Sequence, residues 1–246
     1  MTSRIQAPMR TALLLTSAVL SLALPLRAQT TIGASLTSSV GPLTRNSTGF
    51  QSFGQSFTVP SLANRLSSFS LSFSNFFNGG ALKFDAYIFA FDAANRRVTG
   101  SALWNFLNIT GSSNDFAFDT RTFNTGGLTL SSGATYMFLV TTSNQGDGVP
   151  PDAANLVGTN DVDGYTGGAF WAANNGANFG SLLNNGAFAA LEGVTDAGFS
   201  ALFLGGQTVV PEPASVLLTA AGLMGLGLAM RRRFRRFGAV ALTRID

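Results

Sequence analysis

The chain has 246 residues, of which 46% are hydrophobic and 11% are charged, so it has enough apolar surface to fold. It contains no histidine and no cysteine, which excludes disulfides, thiolate metal sites and His-dependent nucleophilic catalysis. The formal net charge is +3, but between residues 29 and 210 six basic residues stand against ten acidic ones. We therefore expect no nucleic-acid partner.

The first 28 residues have the organisation of a secretory signal peptide. Arg4 and Arg10 form a basic start, residues 11–24 are apolar, and Ala28 is a small residue before a predicted cut at Gln29. The apolar run is shorter than the ~20 residues that a membrane-spanning helix needs. Removal of residues 1–28 during export is therefore favoured over a permanent N-terminal anchor.

From Gln29 onward the pattern predicts short strands separated by turns rich in Gly and Asn. In residues 66–76, Phe69, Leu71 and Phe73 alternate with serines, as expected of a half-buried strand. Further strands are predicted at residues 49–59, 81–92, 101–106, 116–123, 128–130, 135–142, 168–173, 185–193 and 199–206. These elements predict an all-β exported domain over residues 29–208, a β-sandwich or a jelly roll.

A Gly-rich segment, residues 145–168, contains several aspartates that are candidate calcium ligands. Carboxylates on such a segment suit Ca²⁺, and Asp161 and Asp163 are the candidate metal pair. The spacing does not fit an EF-hand, because Phe170 stands where the bidentate glutamate is needed. The alternative interpretation is a solvated loop with ordinary Asx turns.

Three aromatic residues, Tyr165, Trp171 and Trp104, are candidate sugar contacts. An exposed aromatic ring can pack on the apolar face of a sugar, while neighbouring Asn and Asp side chains bond to its hydroxyls. The alternative is that these residues pack inside the domain, as buried Trp and Tyr commonly do. The sequence leaves both interpretations open.

Paired carboxylates raise a further alternative, glycoside hydrolysis. The candidate pairs are Asp161 with Asp163 and Asp115 with Asp119. Acidic pairs are common in loops, and sequence does not give their separation. We therefore expect a protein that is not an enzyme.

The segment VPEPASVLLTAAGLMGLGLAMRRRFRR, residues 210–236, combines an extended box, an apolar run and a cluster of arginines. Residues 214–230 carry no charge; as a helix rising ~1.5 Å per residue they would extend ~26 Å, just short of the hydrocarbon core. The basic residues that follow are Arg231, Arg232, Arg233, Arg235 and Arg236. They favour a cytoplasmic end, so we expect a single transmembrane helix with residues 29–208 outside the inner membrane. The alternative is a buried helix with a basic C-terminus.

The box before the apolar run is predicted to be extended. Each proline fixes its own φ and disfavours helix in the preceding residue, and a protease requires an extended substrate. The box and the two small residues after it are Val210, Pro211, Glu212, Pro213, Ala214 and Ser215.

The order and spacing of these three parts resemble the PEP-CTERM sorting signal of Gram-negative bacteria, which the membrane protease exosortase recognises. The resemblance covers residues 209–236, and residues 237–246 continue as a predicted cytoplasmic tail, whereas such signals commonly end soon after the arginines. The resemblance implies export, transient anchoring in the inner membrane, processing near the Pro-Glu-Pro box, and delivery to the cell surface or the exopolysaccharide matrix of a biofilm.

Three functions follow from these expectations. The first is a structural or adhesive protein of the cell surface or the extracellular matrix, sorted by exosortase. The second is a carbohydrate-binding module that recognises exopolysaccharide, with or without bound calcium. The third, and least favoured, is a glycan-active enzyme.

Overall fold

The computed structural model describes residues 29–44, 49–75, 82–112, 117–145, 154–162, 164–205 and 221–226. The chain divides into two units, Leu26–Gly206 and a unit made of Met1–Pro25 with Gln207–Asp246. The described strands are, in chain order, β1 (Gln29–Ala34), β2 (Ser38–Thr44), β3 (Ser52–Thr58), β4 (Arg65–Asn75), β5 (Lys83–Asp92), β6 (Arg97–Thr110), β7 (Asp119–Thr129), β8 (Thr135–Thr141), β9 (Ala154–Asn160), β10 (Phe170–Ala173), β11 (Asp196–Ala197) and β12 (Phe199–Leu204).

The strands form two sheets, and the all-β prediction is confirmed. The first sheet has seven strands in the order β1-β12-β4-β9-β11, with β2 paired to β9 and β7 paired to β4. The second sheet has five strands in the order β10-β3-β8-β5-β6. All strand pairs within the two sheets are antiparallel. We call residues 29–205 the β domain.

Phenylalanine side chains from the two sheets meet in one core. Phe69 of β4 stacks on Phe138 of β8, with ring centroids 4.2 Å apart and an interplanar angle of 6°. Phe57 of β3 contacts Phe203 of β12 at 6.0 Å. Because each pair joins a strand of one sheet to a strand of the other, the sheets pack face to face, and the core lies between them.

The outward face of the first sheet is polar where β4 meets β7. Phe69, Leu71 and Phe73 are buried, as their alternation predicts. On the opposite face, Ser70 and Thr122 hydroxyls lie 3.0 Å apart, and the Ser72 and Thr120 hydroxyls are at the same distance. The period of two therefore separates core from solvent in the first half of β4, whereas Ser72, Ser74 and Asn75 in its second half are also buried.

The outward face of the second sheet is covered by the chain that follows β10. A 3-10 helix, Phe179–Leu183, is capped by the Asn178 side chain, which accepts from the Ser181 N–H. Leu182 and Phe188 are buried against this face, where Phe188 meets Phe91 edge to face at 6.0 Å. Both faces of the second sheet are thus apolar, so strands β5 and β8 are buried on both sides.

Several predicted elements differ from the observed ones. The predicted strand at residues 185–193 is wrong: the segment forms no strand, and its β pairing is an isolated bridge between Ala189 and Ala172. Strands β1, β2, β9 and β11 were not predicted. Residues 221–226, within the predicted transmembrane segment, are helical and exposed; the rest of that segment and the predicted signal peptide lie outside the described residues.

Within the part of the chain that the structure describes, no helix has both the length and the apolar character needed to cross a membrane.

Candidate functional site

The candidate sugar contact Trp104 lies on β6, which forms an edge of the second sheet. Its half-buried ring packs against Phe138 at 6.2 Å and against Phe123 at 6.4 Å. On the solvent side, Phe106 lies 6.4 Å away in a nearly parallel plane, at 11°, and 56% of its surface is exposed. Trp104 therefore packs against the core on one side, and on its other side Phe106 continues the aromatic surface to solvent.

The candidate sugar contact Trp171 has a structural environment. It lies on β10, its half-buried ring contacts Phe91 at 5.3 Å, and its Nε1 donates to Ser56 Oγ at 3.0 Å. Both the apolar ring and the polar nitrogen are thus engaged within the β domain.

Tyr165 is held in a similar way. Its hydroxyl donates to the Thr58 carbonyl at 3.2 Å and accepts from the Thr58 N–H at 3.1 Å, while its ring meets Phe199 edge to face at 5.3 Å. Burial is the main cause that raises the pKa of Tyr165 above its ordinary value. This side chain ties the 164–169 segment to β3.

The structure does not bring the three aromatic candidates into one site. Trp104 on β6 and Trp171 on β10 lie at opposite edges of the second sheet, and Tyr165 packs beside β3. Of the three, Trp104 is the one with an exposed aromatic neighbour. Phe106 and Leu107 complete this surface. They lie in or beside the predicted strand 101–106, but the sequence did not show that they are exposed, because their exposure depends on β6 being at a sheet edge.

The candidate calcium ligand Asp161 is exposed in the turn after β9, where its N–H donates to Thr37 Oγ1 at 3.2 Å. Asp163 lies outside the described residues, as does Asp115 of the second carboxylate pair. Its partner Asp119 accepts from the Ser112 hydroxyl at 2.7 Å. Among the described residues, no cluster of three or more acidic side chains is arranged to hold a metal ion.

A buried carboxylate, Asp85 on β5, is surrounded by donors that the sequence did not reveal. Its Oδ1 accepts from the Asn108 N–H at 2.9 Å and from Gln145 Nε2 at 2.6 Å. Its Oδ2 accepts from the Tyr87 hydroxyl at 3.2 Å, which in turn accepts from Asn144 Nδ2 at 2.9 Å. These bonds connect the last residues of β6 and residues 144–145 to β5.

Replacing Tyr87 with Phe is expected to reduce the loss of stability at alkaline pH. Burial, followed by the neighbouring Asp85 carboxylate, raises the pKa of Tyr87 above its ordinary value of 10.0. The folded state therefore keeps a proton that the unfolded state loses, so the free energy of unfolding falls as the pH rises above about 10. Urea unfolding between about pH 9 and pH 11 measures this fall; equal slopes for wild type and Tyr87→Phe would contradict the assignment.

A second buried carboxylate, Asp196 on β11, joins the two sheets. Its Oδ1 accepts from Gln55 Nε2 at 2.9 Å, and its Oδ2 accepts from the Tyr165 N–H at 3.1 Å. Gln55 Oε1 accepts from the Ala197 N–H at 2.6 Å. Gln55 belongs to β3, so this pair of side chains connects the second sheet to the first.

Comparison with known proteins identifies the C-terminal segment. Residues 209–233 match the family model of the PEP-CTERM protein-sorting motif. Val210 to Ser215 and Arg231 to Arg233 fall inside this match, whereas Arg235 and Arg236 follow it. The sorting box and the arginines lie outside the described residues. No curated protein sequence matches the chain.

The β domain has distant structural likenesses. The clostridial cysteine protease Cwp84 after propeptide cleavage gives a TM-score of 0.42 at 13% identity, covering 72% of this chain and 40% of that chain. The cysteine protease and lectin-like domains of Cwp84, a surface layer associated protein of Clostridium difficile, give 0.41 at 13% identity, covering 72% and 36%. The VP2 subviral particle of infectious bursal disease virus gives 0.30 at 16% identity, covering 85% and 50%. The chain thus spans half or less of each of these proteins.

The sorting motif indicates an exported protein that exosortase processes, because proteins with this motif are exported and sorted to the cell surface. The predicted box, the apolar run and the first three arginines lie within the matched residues, whereas the predicted membrane anchoring stays a prediction. On the match at residues 209–233, the chain is a PEP-CTERM domain-containing protein.

Proposed function

We propose that the chain is a non-catalytic structural or adhesive protein of the cell surface or exopolysaccharide matrix, and that its working part is the β domain. The observation that carries this proposal is the pairing of the first and last strands. Gln29 at the start of β1 lies opposite Leu204 at the end of β12. The domain thus begins at the predicted signal-peptide cut and ends shortly before the sorting motif.

This pairing puts Gln29 and Leu204, the first and last residues of the paired strands, at one end of the first sheet. Residues 205–208 separate β12 from the sorting motif at residue 209, and four extended residues reach at most ~14 Å. We infer that the β domain is the part of the chain that cutting near the sorting box releases. Cutting at both ends leaves the two-sheet domain with its strands intact, as expected of a protein that acts through its surface.

Two prolines of the sorting box are expected to control this release. Alanine at both Pro211 and Pro213 removes the restraint that keeps the box extended, so the variant should retain its arginine tail and stay in the membrane fraction. Intact-mass measurement of the native protein from its producing cells should give a wild-type form that begins at Gln29 and ends near Pro213.

The matched control is Pro60→Ala, a proline substitution within the β domain, which should be processed like wild type. A wild-type mass that includes Arg231 to Arg236, or equal processing of the double variant and wild type, contradicts the proposal.

A second candidate function, carbohydrate binding, is favoured by the Trp104–Phe106 pair. The more than half-exposed ring of Phe106, beside the half-buried Trp104 on a sheet edge, offers aromatic surface at low conformational cost. Retention of the native exported protein on immobilised polysaccharides tests this function. No retention, with or without calcium, contradicts it.

A further inference from the structure

Strand β6 exposes an unusual set of apolar side chains for a sheet edge. Leu103, Phe106 and Leu107 are each about half exposed, and Trp104 is half-buried beside them. Edge strands of soluble proteins commonly carry charged residues that prevent association, and contiguous exposed apolar patches mark interaction sites. We call residues 103–108 the β6 surface.

The aromatic rings of the β6 surface, Trp104 and Phe106, are held in place by their neighbours. Trp104 is fixed against Phe123 and Phe138 of the core, and Phe106 is held parallel to it. The Asn108 N–H, at the far end, bonds to the buried Asp85 carboxylate at 2.9 Å. A ligand that binds here would immobilise little additional protein, which lowers the entropic cost of association.

The chemistry of the β6 surface suits a neutral, hydroxyl-rich partner. From residue 98 to residue 110 the strand has no charged side chain, and Arg97 at its start lies 3.8 Å from the Asp92 carboxylate. The exposed Asn108 follows Phe106 by two residues, and its amide supplies both donors and acceptors. An anionic polymer would find no cation among these residues.

The backbone of β6 is poorly suited to pairing with another strand. Its register against β5 shifts between Phe84 and Ala86 and again between Ile88 and Ala90, which leaves regular pairing around Trp104, Asn105 and Phe106. Bulges of this kind bend an edge and protect it from strand addition. Binding through side chains is therefore favoured over addition of a strand from a second copy.

We propose that the β6 surface binds a neutral polysaccharide, with the apolar faces of pyranose rings packed on Trp104 and Phe106 and sugar hydroxyls bonded to Asn108. This inference rests on the carbohydrate-binding function proposed above and assigns it a place and a ligand class. It also separates Trp104 from Trp171 and Tyr165, whose contacts lie inside the β domain.

The test measures retention of the native exported protein on insoluble cellulose, chitin, β-1,3-glucan and mannan, with alginate as an anionic comparison. Wild type should bind at least one neutral polymer and not alginate. Phe106→Ser should bind that polymer at least tenfold more weakly, and Trp104→Phe, which keeps a ring against the core, should also bind more weakly. Leu62→Ser, at a residue 81% exposed outside β6, should bind like wild type.

Near-UV circular dichroism and thermal midpoints establish that each variant is folded. If wild type binds but Phe106→Ser binds equally well, the assignment of binding to the β6 surface is wrong, while the proposed carbohydrate binding stands. If no neutral polymer retains wild type, both the β6 binding site and the proposed carbohydrate-binding function are contradicted. If wild type is a dimer in solution and Phe106→Ser is a monomer, the surface joins two copies and the proposal is overturned.

Discussion

Replacing Phe69 with alanine is expected to lower the free energy of unfolding by about 3–5 kcal/mol. Phe69 is completely buried and lies between Phe138 at 4.2 Å and Phe199 at 5.4 Å, with Phe57 at 5.7 Å. Alanine removes contacts with both sheets and leaves a cavity that rigid neighbouring rings fill poorly. Because small domains are stable by about 5–15 kcal/mol, this loss is a large part of the total. Urea unfolding of wild type and variant measures it.

Phe106→Ala is the matched control, since it deletes the same ring from the domain surface. Phe106 is more than half exposed and contacts Trp104 at the domain surface, so its loss is expected to cost about 1 kcal/mol or less. Equal destabilisation by the two substitutions would show that the face-to-face packing does not hold the sheets together.

The alternation of apolar and polar residues predicted the strands that have one face to solvent. In β4, buried phenylalanines alternate with serines whose hydroxyls bond to β7, so the local pattern reports the burial up to Ser70. Beyond it, Ser72 and Ser74 are buried as well, which the alternation did not predict. Strand β9 was not predicted because it follows a Gly-rich, Pro-containing segment and has no clean alternation. Its place depends on partners distant in the chain, β2 and β4, which local patterns do not reveal.

The sorting motif was predictable because its order and spacing are local properties of the sequence, and the match at residues 209–233 confirms it. The sequence alone did not show that Trp104 and Trp171 have different surroundings. Both are aromatic residues in short strands, and their difference arises because β6 and β10 occupy opposite edges of the second sheet, with cover from residues 174–191 near Trp171. Strand order depends on the whole fold.

Asp85 shows a second limit of the local pattern. Alternation places Asp85 on the face opposite Phe84, as observed, but it does not show that this face is also covered. Asp85 is buried because Gln145 and the backbone of Asn108 close over it. A polar residue in a strand therefore indicates solvent only when nothing packs on its face, and here long-range packing decides.

Replacing Asp196 with alanine is expected to lower the free energy of unfolding by about 2–4 kcal/mol, because it leaves buried donors without their acceptor. The donors include Gln55 Nε2 and the Tyr165 N–H, at 2.9 and 3.1 Å from the carboxylate. The matched control is Asp161→Ala: Asp161 is exposed and donates to Thr37 through its backbone, so that substitution is expected to change stability by about 0.5 kcal/mol or less. Urea unfolding of the two variants measures the difference.

Asp196→Asn discriminates between loss of a packed side chain and loss of an acceptor. Asparagine keeps the shape and one oxygen but presents an NH₂ group to a donor, so we expect destabilisation between that of Asp196→Ala and wild type. If Asp196→Asn is as stable as wild type and Asp196→Ala behaves like Asp161→Ala, the carboxylate does not connect the sheets. The intermediate result would instead support the conclusion that Gln55 and Asp196 hold β3 to β11 through buried hydrogen bonds. Phenylalanine packing alone does not provide such a connection, because the rings form no directional hydrogen bonds between the two strands.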